Sequence, residues 1–540
     1  MKNNILLPLL LILFLPTMVL NAQIAPQVIH EPNSEIYKDI DRWHVQGYIR
    51  EFLPLIRPYP FALIEKILDE VIANGNEDAQ QKAAYYQEYF SPPSRFLHFG
   101  AMAYMQGKNS ETGFLGGPFT EGIVKFTGIL NASFHLAGYG MTDTDGEHFN
   151  VPGTYTPYSD FVDDTSSLGK LELRPQWTSL LSVGKEDLYF QAGLARTSVG
   201  PFYDNGIIVG PQAPRAGHFS FVYYRPKWSY EVLFQGITAT DDFGRGKYSN
   251  KFNIVHAINF RPIQNFELGF LQGMTYGERI EPLYLVPFNF IFASQAVMNG
   301  FDDNAFMGLH IRWRLFDTLL AQGQTYVDDF DFNGLFEGLF KLKLAAEAGL
   351  SWTPKRGPLS KLDFDYTAVF PYCYTHWNRP DDNRYTPEKA NYLNYTHLGR
   401  NIGPDLEPNS DRISVRSTWN PVPSLDLSLA MYLARHGNSS EGLNTSPDAL
   451  RDGSILDDGA DDSNINDIDH NPRSNLFLLT QNTLDIRLGG GIGITWTIPL
   501  SVGVLKLAGE YGLQYGWNRS IKPGNNGLDH YWSIGGIWTW

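Results

Sequence analysis

DHYWSIGGIWTW, Asp529–Trp540, ends the chain and decides how the rest is read. At a period of two, Trp532, Ile534, Gly536, Trp538 and Trp540 point one way, and Tyr531, Ser533, Gly535, Ile537 and Thr539 the other. One face is therefore wholly apolar or small and ends on an aromatic ring, with no hydrophobic strand beside it in sequence to cover it. Such a strand suits a membrane β-barrel, whose outer wall meets lipid. A water-soluble sheet has no reason to leave three tryptophans on an uncovered face.

The other end of the chain agrees. Lys2 precedes an apolar run from Ile5 to Leu20, broken by Pro8 and Pro16, and Leu20-Asn21-Ala22 follows. A charged start, a short apolar stretch and a small residue predict an export signal over residues 1–22, cleaved after Ala22. The run is too short and too proline-broken for an anchor helix, and no later stretch is apolar for long enough to span a bilayer as a helix. Cys373 is the only cysteine, so the chain has no disulfide and no lipidated N-terminal cysteine. Closing a sheet on itself is then the available route to stability. A net charge of −16 argues against nucleic acid as a partner. Aromatics at 14% and abundant glycine fit interfacial girdles and closely packed strands.

After the signal the pattern is helical. Ser34 is placed to cap a helix bearing Ile36, Ile40 and Trp43 and stopping at Gly47. Pro60 starts a second, with Leu63, Ile64, Ile67, Leu68, Val71 and Ile72 as its stripe and Gly75 beyond its end. Asn76 caps a third, Glu77–Phe90, before Pro92 and Pro93. Residues 23–94 are read as a periplasmic three-helix segment resting on the end of a barrel that occupies 95–540.

From Arg95 the period becomes two. Val124 to Leu136, Met307 to Leu315, Leu342 to Leu350 and Leu362 to Ala368 each alternate apolar with polar residues. A soluble sandwich alternates in the same way, so connection lengths decide. Short turns near Pro499, Pro421–Ser424, Phe316–Thr318, Arg261–Gln264, Arg225–Lys227 and Gly184–Glu186 alternate with long loops at 517–528, 437–474, 372–410, 277–303, 198–216 and 140–167. That sorting is the architecture of a transmembrane barrel, with short periplasmic turns and long external loops. Seventeen strands are clear. Both ends should be periplasmic, so the number must be even, and 107–121 supplies a poorly patterned strand between 95–106 and 122–139. The expected fold is thus all-β: a transmembrane β-barrel of about eighteen antiparallel strands with a small N-terminal α-helical bundle.

Inward positions carry Lys125, Arg312, Arg314, Lys341, Lys343, Lys361, Arg412, Arg416, Arg487 and Lys506 against Glu347, Asp363, Asp365, Asp426, Asp485 and Glu510. These predict ion pairs that brace the wall. The acidity lies outside, where Asp457, Asp458, Asp461 and Asp462 offer oxygen ligands for a divalent cation such as calcium. Their spacing does not match the EF-hand loop, and a solvated loop explains the run as well; no resident metal or cofactor is expected. The 372–410 loop interleaves rings with amides and guanidinium groups, which is the chemistry that stacks on sugars and binds their hydroxyls and carboxylates. Its candidate polysaccharide-binding residues are Tyr374, Trp377, Arg379, Tyr385, Asn391, Tyr392 and Arg400. Loop 277–303, with Tyr284, Phe288, Phe290 and Phe292, is too apolar for water and is expected to fold inward and occlude the lumen. No nucleophile-elbow or zinc-protease motif occurs. Acidic and Asp-His pairs such as Asp469-His470 resemble those of omptin proteases, a family with a smaller barrel. No catalytic residue is assigned, and the chain is read as a non-enzyme.

Three segments carry a wider resemblance: IYKDIDRWHVQGYIREFLPLIRPYPFALIEKIL in the helical region, EPLYLVPFNFIFASQ followed by DDNAFMGLHIRWRL in the centre, and HLGRNIGPDLEPNSDR before a late strand. In this order, and with a terminal strand like those that close bacterial outer-membrane barrels, the chain resembles the Wzi family of outer-membrane capsule-assembly proteins. That resemblance implies an eighteen-stranded barrel in the outer membrane with a periplasmic bundle. It also implies lectin-like binding of capsular or other surface polysaccharide, which it helps attach or assemble without covalent chemistry. Lipid, lipopolysaccharide and, during biogenesis, the barrel-assembly machinery are the other expected partners of a monomer. The alternative is a porin or channel for oligosaccharides or anionic solutes.

Overall fold

A computed structural model describes residues 29–32, 34–90, 97–142, 166–168, 171–210, 213–240, 246–297, 303–330, 342–376, 390–439, 455 and 478–540. The expected export signal lies outside them. Eighteen antiparallel strands close into one barrel. In order they are β1 (Leu97–Lys108), β2 (Glu111–Thr127), β3 (Leu130–Thr142), β4 (Leu171–Gly184), β5 (Leu188–Ala195) and β6 (Ala216–Arg225). The middle third is β7 (Trp228–Thr240), β8 (Gly246–Ile263), β9 (Phe266–Gly277), β10 (Asn304–Phe316), β11 (Leu319–Phe330) and β12 (Leu342–Trp352). The last are β13 (Leu359–Val369), β14 (Ser410–Val422), β15 (Leu425–Gly437), β16 (Leu484–Pro499), β17 (Val504–Trp517) and β18 (Gly527–Thr539).

The terminal strand closes the ring. Tyr531 pairs with Lys108 and Thr539 with Gly100. Beyond the ladder, Trp540 and Phe99 exchange N–H···O bonds of 2.8 and 3.1 Å. Ile534 and Trp538 are exposed on the outer face, while Tyr531 and Ile537 are buried inside. The period-two reading of this stretch therefore holds residue by residue.

One strand boundary differs. The apolar alternation from Val124 to Leu136 belongs to two strands, β2 and β3, joined by a turn at Gly128–Ile129. Gly122 pairs with Phe134 and Val124 with Ala132, so both sides of the turn present the same face. A short turn keeps the pattern in phase and hides itself in the sequence. The segment 107–121 then divides between β1 and β2 around a tight external turn at Asn109–Ser110.

The helices are α1 (Glu35–Val45), α2 (Phe61–Asn74) and α3 (Glu77–Phe90). Asn76 caps α3, its side-chain oxygen accepting from Ala79 N–H at 3.0 Å. Rather than resting on the rim, the bundle enters the barrel mouth, and its apolar core continues into the wall residues Ile123, Tyr189, Val222 and Tyr224. Predicted inward charges hold it there. Lys506 pairs with Glu35 at 2.6 Å and Lys125 with Glu65 at 2.9 Å. Arg314 donates to the His44 carbonyl at 3.0 Å. Burial, and then the neighbouring Arg312 and Arg314, hold the His44 imidazole well below its usual range. Kept neutral, its Nδ1 accepts from Arg312 at 3.0 Å.

Candidate functional site

Three loops that the sequence places at the external end do not rise into water. The segment between β5 and β6, described at residues 196–210 and 213–215, descends inside the barrel to meet the N-terminal helices. Ser198 and Val199 pair with Arg57 and Ile56 as two short antiparallel strands. Below them, the backbone N–H groups of Leu55 and Ile56 donate to Glu231 at 3.1 and 2.8 Å. The Arg57 guanidinium forms an ion pair with Asp41 and stacks 3.4 Å from the centre of the Tyr203 ring. Asp204 lies 3.8 Å from Arg416 and 3.9 Å from Lys361. Burial pushes the Asp204 carboxyl up, but Arg416 and Lys361 outweigh it and hold it down at about 2. Between these groups lies a gap of about 50 Å³, bordered by Asp41, Tyr203, Asp204, Arg312 and Arg416. It has room for water and none for a sugar. Glu231 and Asp204 were not singled out in the sequence; for Glu231 the available signal was a carboxylate between Tyr230 and Val232 at an inward position of β7, and for Asp204, in a loop, there was none.

The described parts of the segment between β13 and β14, residues 370–376 and 390–409, lie over this first insert. The Tyr374 hydroxyl donates to the Ile207 carbonyl at 2.7 Å, and the Tyr395 hydroxyl to the Ile208 carbonyl at 2.7 Å. Lys251 on the wall donates to Asn394 at 2.8 Å. Leu55, Ile56, Val199, Ile207, Tyr374 and Tyr395 share one apolar core with wall residues from β7 to β13. The lumen is thus occupied from both ends.

This placement changes what the predicted sugar-binding residues do. Tyr374 is fully buried and stacks on Tyr395 at 5.6 Å. Tyr392 is buried against Ala239 and Ala390. The Asn391 side chain accepts from Leu393 and Asn394 N–H and donates to the His376 carbonyl at 3.0 Å. These three build the insert and present no open face. Arg400 is half-buried, in a two-residue ladder opposite His397. Trp377, Arg379 and Tyr385 lie outside the described residues, as do the calcium candidates Asp457, Asp458, Asp461 and Asp462. Among the described residues no group of three potential metal ligands occurs.

The third loop is a correction. Loop 277–303 was expected to block the lumen, and its described part, 278–297, lies against the outside of the wall. Tyr284 and Ile291 pack on Tyr230, Val232, Ile254 and Met274, which alternate with the inward Glu231, Asn253 and Val255. Phe288 stacks on Tyr230 at 4.2 Å, six residues below the level of Tyr276 where the loop begins. The strap therefore runs roughly 20 Å down the outer wall at about 3.3 Å per residue. Phe288 and Phe290 are exposed there and Phe292 half-buried. The loop is apolar because it faces lipid, a second solution to the same constraint.

Irregular backbone at that depth needs hydrogen-bond partners. The wall supplies them from polar side chains that point outward. His256 bonds the Tyr284 carbonyl at 2.8 Å, Tyr230 accepts from Phe288 N–H at 2.9 Å, and Gln272 accepts from Ile291 N–H at 3.0 Å.

The fold and the filled lumen define a class: a transmembrane β-barrel of eighteen strands carrying its own internal plug. Among solved structures the chain is similar to Wzi of Escherichia coli, described as an outer-membrane protein involved in group 1 capsule assembly and a carbohydrate-binding β-barrel. The TM-score is 0.57 at 14% identity, over 94% of this chain and 98% of that one. Acinetobacter baumannii OccAB2 (TM-score 0.45, 10% identity, 82% and 97% covered) and Pseudomonas aeruginosa OprD (0.44, 9%, 82% and 93%) are more distant barrels. No protein-family model matches the chain, and no curated protein matches it.

Proposed function

We propose that this protein is a lectin-like, non-conducting barrel that binds capsular or other surface polysaccharide and helps attach or assemble it at the cell surface. The observation that carries the proposal is the double plug. The N-terminal helices fill the lumen from one end, and residues 196–210, 213–215, 372–376 and 390–402 fill it along β5–β13 from the other, which leaves contact with a partner to the external side. The likeness to a carbohydrate-binding barrel supports the same reading. No catalytic role is proposed, since the inward carboxylates described above are engaged in bracing contacts.

Residues 377–389 are the proposed polymer contact from the sequence, carrying Trp377, Arg379 and Tyr385. The Asn391–His376 bond of 3.0 Å brings the two ends of this piece together. Its removal with a short linker should therefore leave the insert and barrel intact. Repeated shallow contacts along a polymer give retention by multivalency even when each is weak. Replacing Trp377 and Tyr385 by Ala should lower cell-associated polysaccharide, and removing 377–389 should lower it further, with the unboiled protein still running as a folded barrel on a gel. The parent protein in planar bilayers should conduct little. Steady conductance of the parent, together with unchanged polymer retention, would instead establish a channel.

A further inference from the structure

The plug does not back the whole wall. From β5 to β13 inward groups such as Glu231, Leu233, Asn253 and Tyr326 are buried beneath it. From β15 to β18 and onto β1, the external half of the inward face is built differently. Ser428, Ala430, Tyr432, Ala434, Gly491, Glu510 and Ser533 remain partly exposed. Their outward neighbours Leu429, Met431, Leu433, Leu488, Leu513 and Ile534 face lipid, which fixes the direction. The helical bundle forms the floor, where Lys506 meets Glu35.

Two rungs of this wall are laid with glycine. Ala430, Gly491, Gly512 and Tyr531 stand at one level, and Tyr432, Gly489, Gln514 and Asp529 at the next. Missing side chains let the tyrosines lie flat along the wall. Tyr531 reaches across its rung to Ala430. Tyr432 covers Gly489 so closely that a Cβ there would stand 2.3 Å from the ring, and its hydroxyl donates to Gln514 at 2.6 Å.

Cations surround the rings. Arg487 pairs with Asp485 at 2.8 Å yet keeps 44% of its side chain exposed. Arg519 lies 3.3 Å from Asp529, and Lys108 Nζ is 5.6 Å from the centre of Tyr531. On β1, four strands from Tyr432 and two rungs deeper, Gln106 is only 7% exposed and its Nε2 finds no acceptor among the described residues. A buried amide donor without an acceptor costs about 1–3 kcal/mol, and a ligand oxygen would supply the missing bond.

We infer that this recess is a binding site for an acidic, uronate-bearing polysaccharide: Tyr432 is the stacking platform and the neighbouring Arg487 binds the sugar carboxylate, while Gln106, roughly 20 Å away along the wall, donates to an oxygen of a later sugar of the same polymer. The inference rests on the polysaccharide-binding function proposed above and places a second contact inside the barrel mouth, distinct from residues 377–389. A flat ring beside a guanidinium fork matches the apolar face and the carboxylate of a uronic acid.

The test uses the full-length barrel in detergent, with polygalacturonate and dextran as acidic and neutral probes. The parent should bind polygalacturonate more tightly than dextran. Arg487→Gln should weaken polygalacturonate about tenfold or more, as loss of a charge-assisted hydrogen bond does, and leave dextran unchanged. Tyr432→Ala should weaken both. Gly489→Ala removes no ligand group but lifts the ring, and should weaken both several-fold. Each variant must keep the folded band of the unboiled protein, since none touches the plug. Equal binding of dextran and polygalacturonate by the parent overturns the acidic class. If the parent retains polymer on cells while Arg487→Gln and Tyr432→Ala bind polygalacturonate like the parent, the recess is wrong and the function stands. If deleting the whole protein leaves cell-associated polysaccharide unchanged and the parent binds neither probe, the function falls and the recess falls with it.

Discussion

The two sides of this barrel solve the problem of an inward face in opposite ways. Along β5–β13 the wall is polar and buried, and its groups are spent on the plug: Glu231 holds Leu55 and Ile56, Lys251 holds Asn394, and Gln324 donates to the Gly200 carbonyl at 2.7 Å. Along β15–β18 and β1 the external half of the wall carries glycine, alanine, serine and flat-lying tyrosine, and nothing among the described residues packs over Arg487 to bury it. The lesson is that a polar lumen is not one kind of surface. Where protein backs the wall, inward polar groups answer backbone donors and acceptors of the insert. Where no described segment backs it, as at Tyr432 and Arg487, the same period-two strands leave side chains partly exposed toward the lumen.

The side where no described insert packs depends on its own ladder, which closes only at β18 and β1. The largest effect should therefore follow removal of Trp538–Trp540. That truncation cuts the outer aromatic end of the closing strand and the Trp540–Phe99 bonds, and should remove the protein from the outer-membrane fraction while export continues. Normal insertion of the truncated chain would show that these tryptophans act only as an interfacial girdle.

The backed side should fail differently. Glu231→Leu leaves the Leu55 and Ile56 N–H groups buried without an acceptor, and should cost about 3 kcal/mol. The barrel ladder is untouched, so the expected sign is a lower unfolding midpoint together with increased conductance as segment 55–57 loosens from Ser198 and Val199. A drop in stability with no change in conductance would mean that the plug is held mainly elsewhere.

A smaller effect should come from acid. His30, just before α1, lies inside the barrel, with ring nitrogens 2.8 Å from Ser133 Oγ and 2.7 Å from Thr178 Oγ1. Burial, and then nearby His135 and His218, hold its pKa down at about 3 from an ordinary 6.5. Between those values the unfolded segment binds a proton that the seated segment does not. Stability from this site is therefore complete above pH 6.5 and is lost as pH falls toward 3, by about 2 kcal/mol at pH 5. Hydrogen exchange at residues 29–34 should accelerate between pH 7 and pH 5 in the parent and much less in His30→Gln. Equal acceleration in both would assign the acid sensitivity to another group.

Much of the architecture was legible because its signals are local. Trp532 to Trp540 declares its lipid face by alternation alone, and the sorting of short and long connections fixes parity, hence eighteen strands. The helices read equally well: Ile36, Ile40 and Trp43 have the right spacing, and all three are buried. The candidate site was less legible. Tyr374, Asn391 and Tyr392 were selected for ring and amide chemistry, but a tyrosine that stacks on a sugar and one that stacks on Tyr395 are the same letter in the sequence. The recess was hidden for the converse reason. Gly489 and Gly491 look like weak points of a strand until the register sets them beside Tyr432 and beneath Tyr531.

By itself the sequence determined the barrel, its strand number and its helical N-terminal segment, because each follows from periodicity and connection length along the chain. Only the tertiary structure decided which way the long loops turn. Phe288 and Phe290 tell that their loop must avoid water, yet both the lumen and the bilayer satisfy that demand. The choice of the outer wall was made by His256, Tyr230 and Gln272, outward polar groups from three different strands that the strap's backbone needs and that need the strap in turn. Hydrogen bonds between segments remote in sequence carry no periodic trace, so the plug, the strap and the recess exist only once the barrel has closed.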